Sequence, residues 1–186
     1  MNKNFDEFIS QTDDMYFMTD NWTNLRVQIK KTIEEHHLDI VALNIYEWRA
    51  VENRIAEHFI GTKNTELFWM WENHITSNFK QYSKQVSEFS ELSRILKNVI
   101  NHDEVLWLFL GDTLHGQTKF WGYSGNIEPI VALLEELPPL DFYIVSKKLE
   151  WLIGQNHHDI LFGFGEIISS LAEKVKMIEI QFETER

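Results

Sequence analysis

The sequence contains no cysteine, only three prolines, and seventeen basic residues against twenty-nine acidic ones. Without thiols the chain needs no oxidising compartment, and it can hold neither a thiolate zinc site nor a cysteine nucleophile. A formal charge of −12 opposes a phosphate backbone, so nucleic acid is not an expected partner. Long apolar runs are also missing: VLWLFL at 105–110 is far too short to span a bilayer, so no membrane association is expected. The start, MNKNFDEFISQTDDMYF, mixes acids with apolar residues and has no basic head followed by an apolar run. A cytoplasmic location is therefore expected.

Aromatic residues, by contrast, are plentiful. Thirteen Phe, seven Trp and five Tyr within a 44% hydrophobic chain of 186 residues supply the core of one soluble domain over 1–186 without covalent staples. Excess acid keeps such a domain soluble, and it also favours a protein partner with a basic face, because complementary charge speeds encounter and excludes like-charged competitors.

The two halves of the chain differ in periodicity. Up to about residue 100 the apolar spacing is helical, which predicts a helical layer; from 101 to 186 short apolar runs alternate with turn residues, which predicts a sheet-bearing part. In TNLRVQIKKTIEEHH, Leu25, Ile29 and Ile33 recur at i, i+4 and i+8 behind Thr23, a good N-cap. A second helix is expected from Asn44, with Glu47 completing a capping box, an apolar stripe of Ile45, Trp48, Val51, Ile55 and Phe59, and Gly61 as its stop. LDIVAL between them fits a short strand or more helix. From Phe68 to Val99 apolar residues step by three or four, including Tyr82 and Val86. This predicts one long helix or, preferably, two with a break at 80–88. As a seam for a partner helix the run would make a homodimer; packed on the chain's own sheet it leaves a monomer.

The second half reads β-β-α-β-β-β-α. VLWLFLG and KFWGY form a hairpin across DTLHGQT. Asn126 caps a helix with Pro129 in its first turn and Pro138-Pro139 as its stop. DFYIVS, EWLIGQ and DILFGFG make a meander, and EIISSLAEKVKMIEI returns to helix. The expected fold is therefore α+β, a helical N-terminal half packed with an antiparallel sheet of about five strands.

The residues with chemical potential cluster in GQNHHDILFGFG. Histidine and aspartate are the cysteine-free ligands of transition metals, yet adjacent residues of an extended strand point to opposite faces, so His157 and His158 could share one ion only if the turn bends them together. A third ligand would have to come from Glu150, His115 or Asp112, and no helical H-x-x-x-H supports one. A turn stabilised by Asn156 and Asp159 explains the same residues, so no metal is expected. Ser124 in GYSGN sits in a strand-turn-helix context like a nucleophile elbow but lacks the G-x-S-x-G frame. GFGEII fails as a dinucleotide loop, so no cofactor is expected. Its glycines fit close approach by another element better. Arg54 and His58, one turn apart, fit a solvated helix face, and His36-His37 fit a helix C-terminus. No catalytic set is complete.

FWGYSGNIEPIVALLEELP followed by FYIVSKKLEWLIGQNHHDILFGFG resembles an uncharacterised family of small bacterial cytoplasmic proteins that pair a Tyr-Ile-Val-Ser-Lys-Lys strand with a Trp-Leu strand ending in Asn-His-His-Asp. The resemblance covers about 104–166 and implies no reaction; Gln155 departs from its pattern, where a glutamate is expected. In general character the chain is similar to immunity proteins of bacterial toxin systems, which are small, acidic and free of cysteine. That likeness implies a binding protein whose partner is a cognate toxin with a basic face. The residues expected to meet the partner are Asp112, Tyr123, Glu150, Asn156, His157, His158 and Asp159. The alternatives are a small metal-dependent or serine hydrolase built on His157, His158 and Asp159, and an oligomeric scaffold built on the 68–99 seam.

Overall fold

A computed structural model of the chain describes residues 23–61, 81–114 and 117–184. Helix α1 (Thr23–Glu35) buries Ile29, with Leu25 and Ile33 half-buried beside it, as the spacing predicts. LDIVAL contains a strand, β1 (Ile40–Ala42). Helix α2 (Ile45–Phe59) opens on the expected capping box: the Asn44 side chain accepts the N–H groups of Tyr46 and Glu47, both at 3.0 Å, and Glu47 accepts the Asn44 N–H. Trp48, Val51, Ile55 and Phe59 are buried along one stripe, and the chain leaves the helix at Gly61.

One expectation is corrected in the next stretch. Tyr82 and Val86 match helical spacing, but Gln81–Gln85 is a strand, β2, and helix α3 (Phe89–Val99) begins only after it. Residues 68–80 of that run lie outside the described residues. A polar strand such as QYSKQ, half-buried on alternate residues, is set by pairing with a neighbour rather than by its own apolar content. The preferred break at 80–88 contains β2, and α3 follows it.

Strands β3 (Leu106–Leu114) and β4 (Gln117–Gly125) form the hairpin and absorb most of the expected loop DTLHGQT. Asn126 occupies the N-cap of α4 (Ile127–Glu136), but not as a side-chain cap: its amide instead donates to the His102 carbonyl at 3.0 Å. The meander β5 (Phe142–Ser146), β6 (Trp151–Gln155) and β7 (Ile160–Gly165) follows, and α5 (Ile168–Thr184) closes the chain.

Among the described residues, seven strands form one antiparallel sheet in the order β1-β4-β3-β5-β6-β7-β2. This corrects the expected five. Both outermost strands, β1 and β2, come from the part of the chain read as a helical layer. One face of the sheet carries Leu106, Leu108, Leu110, Ile144, Ile153 and Leu161 and packs against α1, α3, α4 and α5. The other carries Trp107, Phe109, Phe120, Tyr143, Val145, Leu152 and Phe162 and packs against α2. Covering on both sides explains why β5 is buried at all five positions and why FYIVS reads as a continuous apolar run instead of an alternating one. Within β7, Gly163 admits α5: a Cβ there would lie 2.7 Å from the Leu171 side chain. Among the described residues, no helix is long and apolar enough to cross a membrane.

Candidate partner-binding site

Antiparallel pairing gathers four chain segments at one end of the sheet. Leu110 faces Phe142, Phe142 faces Gln155, and Gln155 faces Leu161, so the end of β3, the start of β5 and the β6–β7 turn are neighbours. NHHD is that turn, as the sequence predicts. Asn156 builds it: its backbone pairs with Ile160 and Asp159, and its buried Oδ1 accepts the N–H groups of His158 and Ile160 at 3.0 Å each. Asp159 takes a left-handed φ of 60°, which its short polar side chain tolerates, and its carbonyl accepts the Val86 N–H beyond β2.

The partner of His157 is a residue the sequence reading did not single out for this role. Asp141 Oδ1 accepts the His157 backbone N–H and lies 3.1 Å from its ring Nδ1, while the Asp141 carbonyl accepts the Gly111 N–H at 2.7 Å. Asp141 thus ties β3 to the β6–β7 turn. The signal was present, since drawing the meander in register places Asp141, one residue before Phe142, opposite the turn. The rings of His157 and His158 lie against each other, with centroids 4.0 Å apart and planes tilted by 47°. Both residues are exposed.

Asp112 lies close by, at the end of β3 opposite Lys119. Its carboxylate accepts the Trp121 indole N–H at 3.2 Å. Burial pushes its pKa above the usual carboxylate value, while the Trp121 hydrogen bond and the Lys119 charge pull the other way.

Five of the expected residues, Asp112, Asn156, His157, His158 and Asp159, therefore share one end of the sheet. Two do not. Tyr123 is 4% exposed inside the core on the α1 side, and Glu150 sits in the β5–β6 turn at the opposite end. Ser124 is likewise remote: it pairs with Trp107, four residues along β3 from Gly111, or about 13 Å at ~3.3 Å per residue. The structure brings no serine of that elbow to the histidines. Among the described residues, no group of three His, Asp or Glu side chains is arranged to hold a metal ion. Arg54 lies over the Trp107 ring, 5.6 Å from its centroid.

Two concavities flank the rigid Pro138-Pro139 segment at this end. The larger, about 450 Å³, is lined by Leu25, Gly111, Asp112, Asp141 and His157 as well as the prolines. The other, about 150 Å³, has an apolar floor from Val86, Phe89, Leu92, Leu137 and Phe142, with Glu135 and Asp159 among its lining carboxylates. The Gln155 side chain closes that floor by donating to the Val86 carbonyl at 2.7 Å.

Fold and turn together define an α+β protein with a seven-stranded antiparallel sheet and a grooved, carboxylate-bearing end. The chain belongs to DUF6756, a family of unknown function, whose model matches residues 21–176. The match includes the helical half, which the resemblance read from the C-terminal motifs did not cover. No curated protein and no solved structure matches the chain.

Proposed function

We propose that the protein is a non-enzymatic binding protein of the immunity type, which neutralises a cognate bacterial toxin by docking a basic segment of it at the grooved end of the sheet. The observation that carries this reading is the pairing of an apolar floor with Glu135 and Asp159 in the groove beside Pro138-Pro139, in a chain with a formal charge of −12. Such a groove suits lysine or arginine, whose aliphatic stem lies along apolar surface while its cationic head meets carboxylates. Asp141 and His157 extend the same surface on the other side of the prolines. The hydrolase alternative draws no support from Ser124, which lies far from the histidine turn. The scaffold alternative loses Tyr82 from its helical seam, because that residue belongs to β2.

The test is titration calorimetry against the protein products of the genes adjacent to its own, a toxin-like one being the expected partner. A complex at micromolar concentration or tighter is expected, weakened at least tenfold by Glu135→Gln combined with Asp159→Asn, which removes both charges and keeps a residue tolerant of the left-handed φ. Absence of a complex at that concentration, or equal affinity of the double variant, would overturn the proposal.

A further inference from the structure

Three cations from three different elements converge on the outer flank of β4. Arg26 of α1 lies 5.2 Å from the centre of the Trp121 ring, Arg49 of α2 lies 5.4 Å from that of Trp48, and Lys119 of β4 lies 4.1 Å and 5.3 Å from Trp121 and Trp48. The two indoles are themselves in contact, with centroids 5.9 Å apart. Nothing in the sequence announces this cluster, because its members are separated by up to 95 residues (Arg26 to Trp121) and meet only through the sheet.

Its charge is anomalous for this chain. Lys31, Lys84, Lys97 and Lys148 each lie within 4.0 Å of a carboxylate, as expected where acid is in excess, but none of the ion pairs among the described residues includes Arg26, Arg49 or Lys119. The indole faces attract the cations, yet like charges gathered around the same pair of rings also repel one another. Lys119 registers that repulsion: burial first, then Arg26 and Arg49, hold its ammonium below the usual lysine pKa, and Asp112 only partly opposes them. Among the described residues, Asp112 is the carboxylate that acts on Lys119, and one carboxylate against three cations leaves two positive charges in excess. Trp48 adds a second sign of a missing acceptor, because its Nε1–H is buried with no hydrogen-bond partner among the described residues.

The geometry points to an oxyanion site: Arg26, Arg49 and Lys119, gathered against Trp48 and Trp121, bind the phosphate group of a small phosphorylated ligand as its dianion. Guanidinium forks and a compact ammonium are the groups that recognise phosphate oxygens, and a dianion matches the excess of two charges. Arg26 and Arg49 are exposed, so the ligand can reach them. Each indole already has two cations near its ring, which leaves little face for a base to stack on, and recognition falls on the phosphate. The cluster lies outside the groove lined by Glu135 and Asp159, and the inference does not rest on the immunity reading.

Inorganic phosphate and glycerol 2-phosphate, each titrated into the full chain at ionic strength held constant with sodium chloride, provide the test. Tryptophan fluorescence and the melting temperature are the readouts. Saturable binding of at least one of the two is expected, with a rise in melting temperature; response to the ester alone would identify an esterified ligand. Arg49→Gln, at an exposed position, and Lys119→Gln should each weaken binding at least tenfold, whereas Lys31→Gln, paired with Glu35 elsewhere on α1, should not. The inference is overturned if both phosphates act no differently from chloride, or if R49Q binds as tightly as the wild type.

Discussion

His157 is held twice by one oxygen. Asp141 Oδ1 accepts its backbone N–H and lies 3.1 Å from its ring Nδ1, so the β6–β7 turn is fastened to the residue that also hydrogen-bonds β3. The two contacts differ in weight. The imidazole is more than half exposed, and an ion pair in that setting contributes little; the backbone N–H needs its acceptor whatever the state of the ring.

Asp141→Ala should therefore cost about 1–3 kcal/mol, the range for removing a charged acceptor from a fixed donor, whereas His157→Ala should cost less than about 1 kcal/mol. Asp141→Asn, which keeps a side-chain oxygen, should fall between them. Urea unfolding of the three variants ranks them, and amide exchange at His157 should accelerate only in D141A. Equal losses in D141A and H157A would mean that the ring contact, not the backbone bond, fastens the turn.

Gly165 ends β7 at φ 88°, and a Cβ there would lie 2.2 Å from the Glu150 carbonyl oxygen. That oxygen accepts the Glu166 N–H at 3.1 Å, so the backbone on both sides is fixed. Gly165→Ala combines a left-handed backbone with a clash against main chain, and a loss of at least about 2 kcal/mol is expected from denaturant midpoints. A loss below about 1 kcal/mol would show that the β7–α5 connection relaxes freely.

Local pattern carried the elements whose cores are local. Asn44 with Glu47, the Leu25-Ile29-Ile33 stripe, the β3–β4 hairpin and the β5–β6–β7 meander all pair or pack with neighbours close in sequence, and each follows from its own spacing. The two outer strands were hidden for the opposite reason. β1 pairs Ile40 with Gly125 and β2 pairs Gln81 with Phe164, across more than eighty residues in each case; LDIVAL is apolar but fits strand and helix equally, and QYSKQ is too polar to declare itself. Tyr82 and Val86 then mimicked a helix because a short half-buried strand and a helix share i, i+4 positions.

The histidine turn was readable for a related reason: strand periodicity on both sides placed NHHD between two strands, although adjacency did not show that the bend would bring the two imidazole rings to 4.0 Å. The burial of Tyr123 was not legible, because an aromatic residue near a turn looks the same in sequence whether it faces solvent or core. Only the pairing of Leu108 with Tyr123 in the middle of the sheet shows which.

Burial of Tyr123 has a consequence at high pH. Its hydroxyl is pushed up to about 12 from the ordinary value of 10, because a phenolate is poorly solvated in the core; the Arg26 charge opposes this without cancelling it. Below pH 10 the phenol is neutral in both folded and unfolded chains, and the full stability is present. Between about 10 and 12 the unfolded chain has released this proton while the folded chain still holds it, so stability falls as pH rises through that window. A difference of about two pKa units corresponds to roughly 2–3 kcal/mol by pH 12. Tyr123→Phe removes the titrating group and keeps the ring, so its stability relative to the wild type should improve by about that amount on going from pH 9 to pH 12. The other tyrosines and the lysines titrate in both proteins and cancel in the comparison. Guanidinium unfolding of the pair at the two pH values measures it, and parallel curves would place the Tyr123 hydroxyl in water rather than in the core.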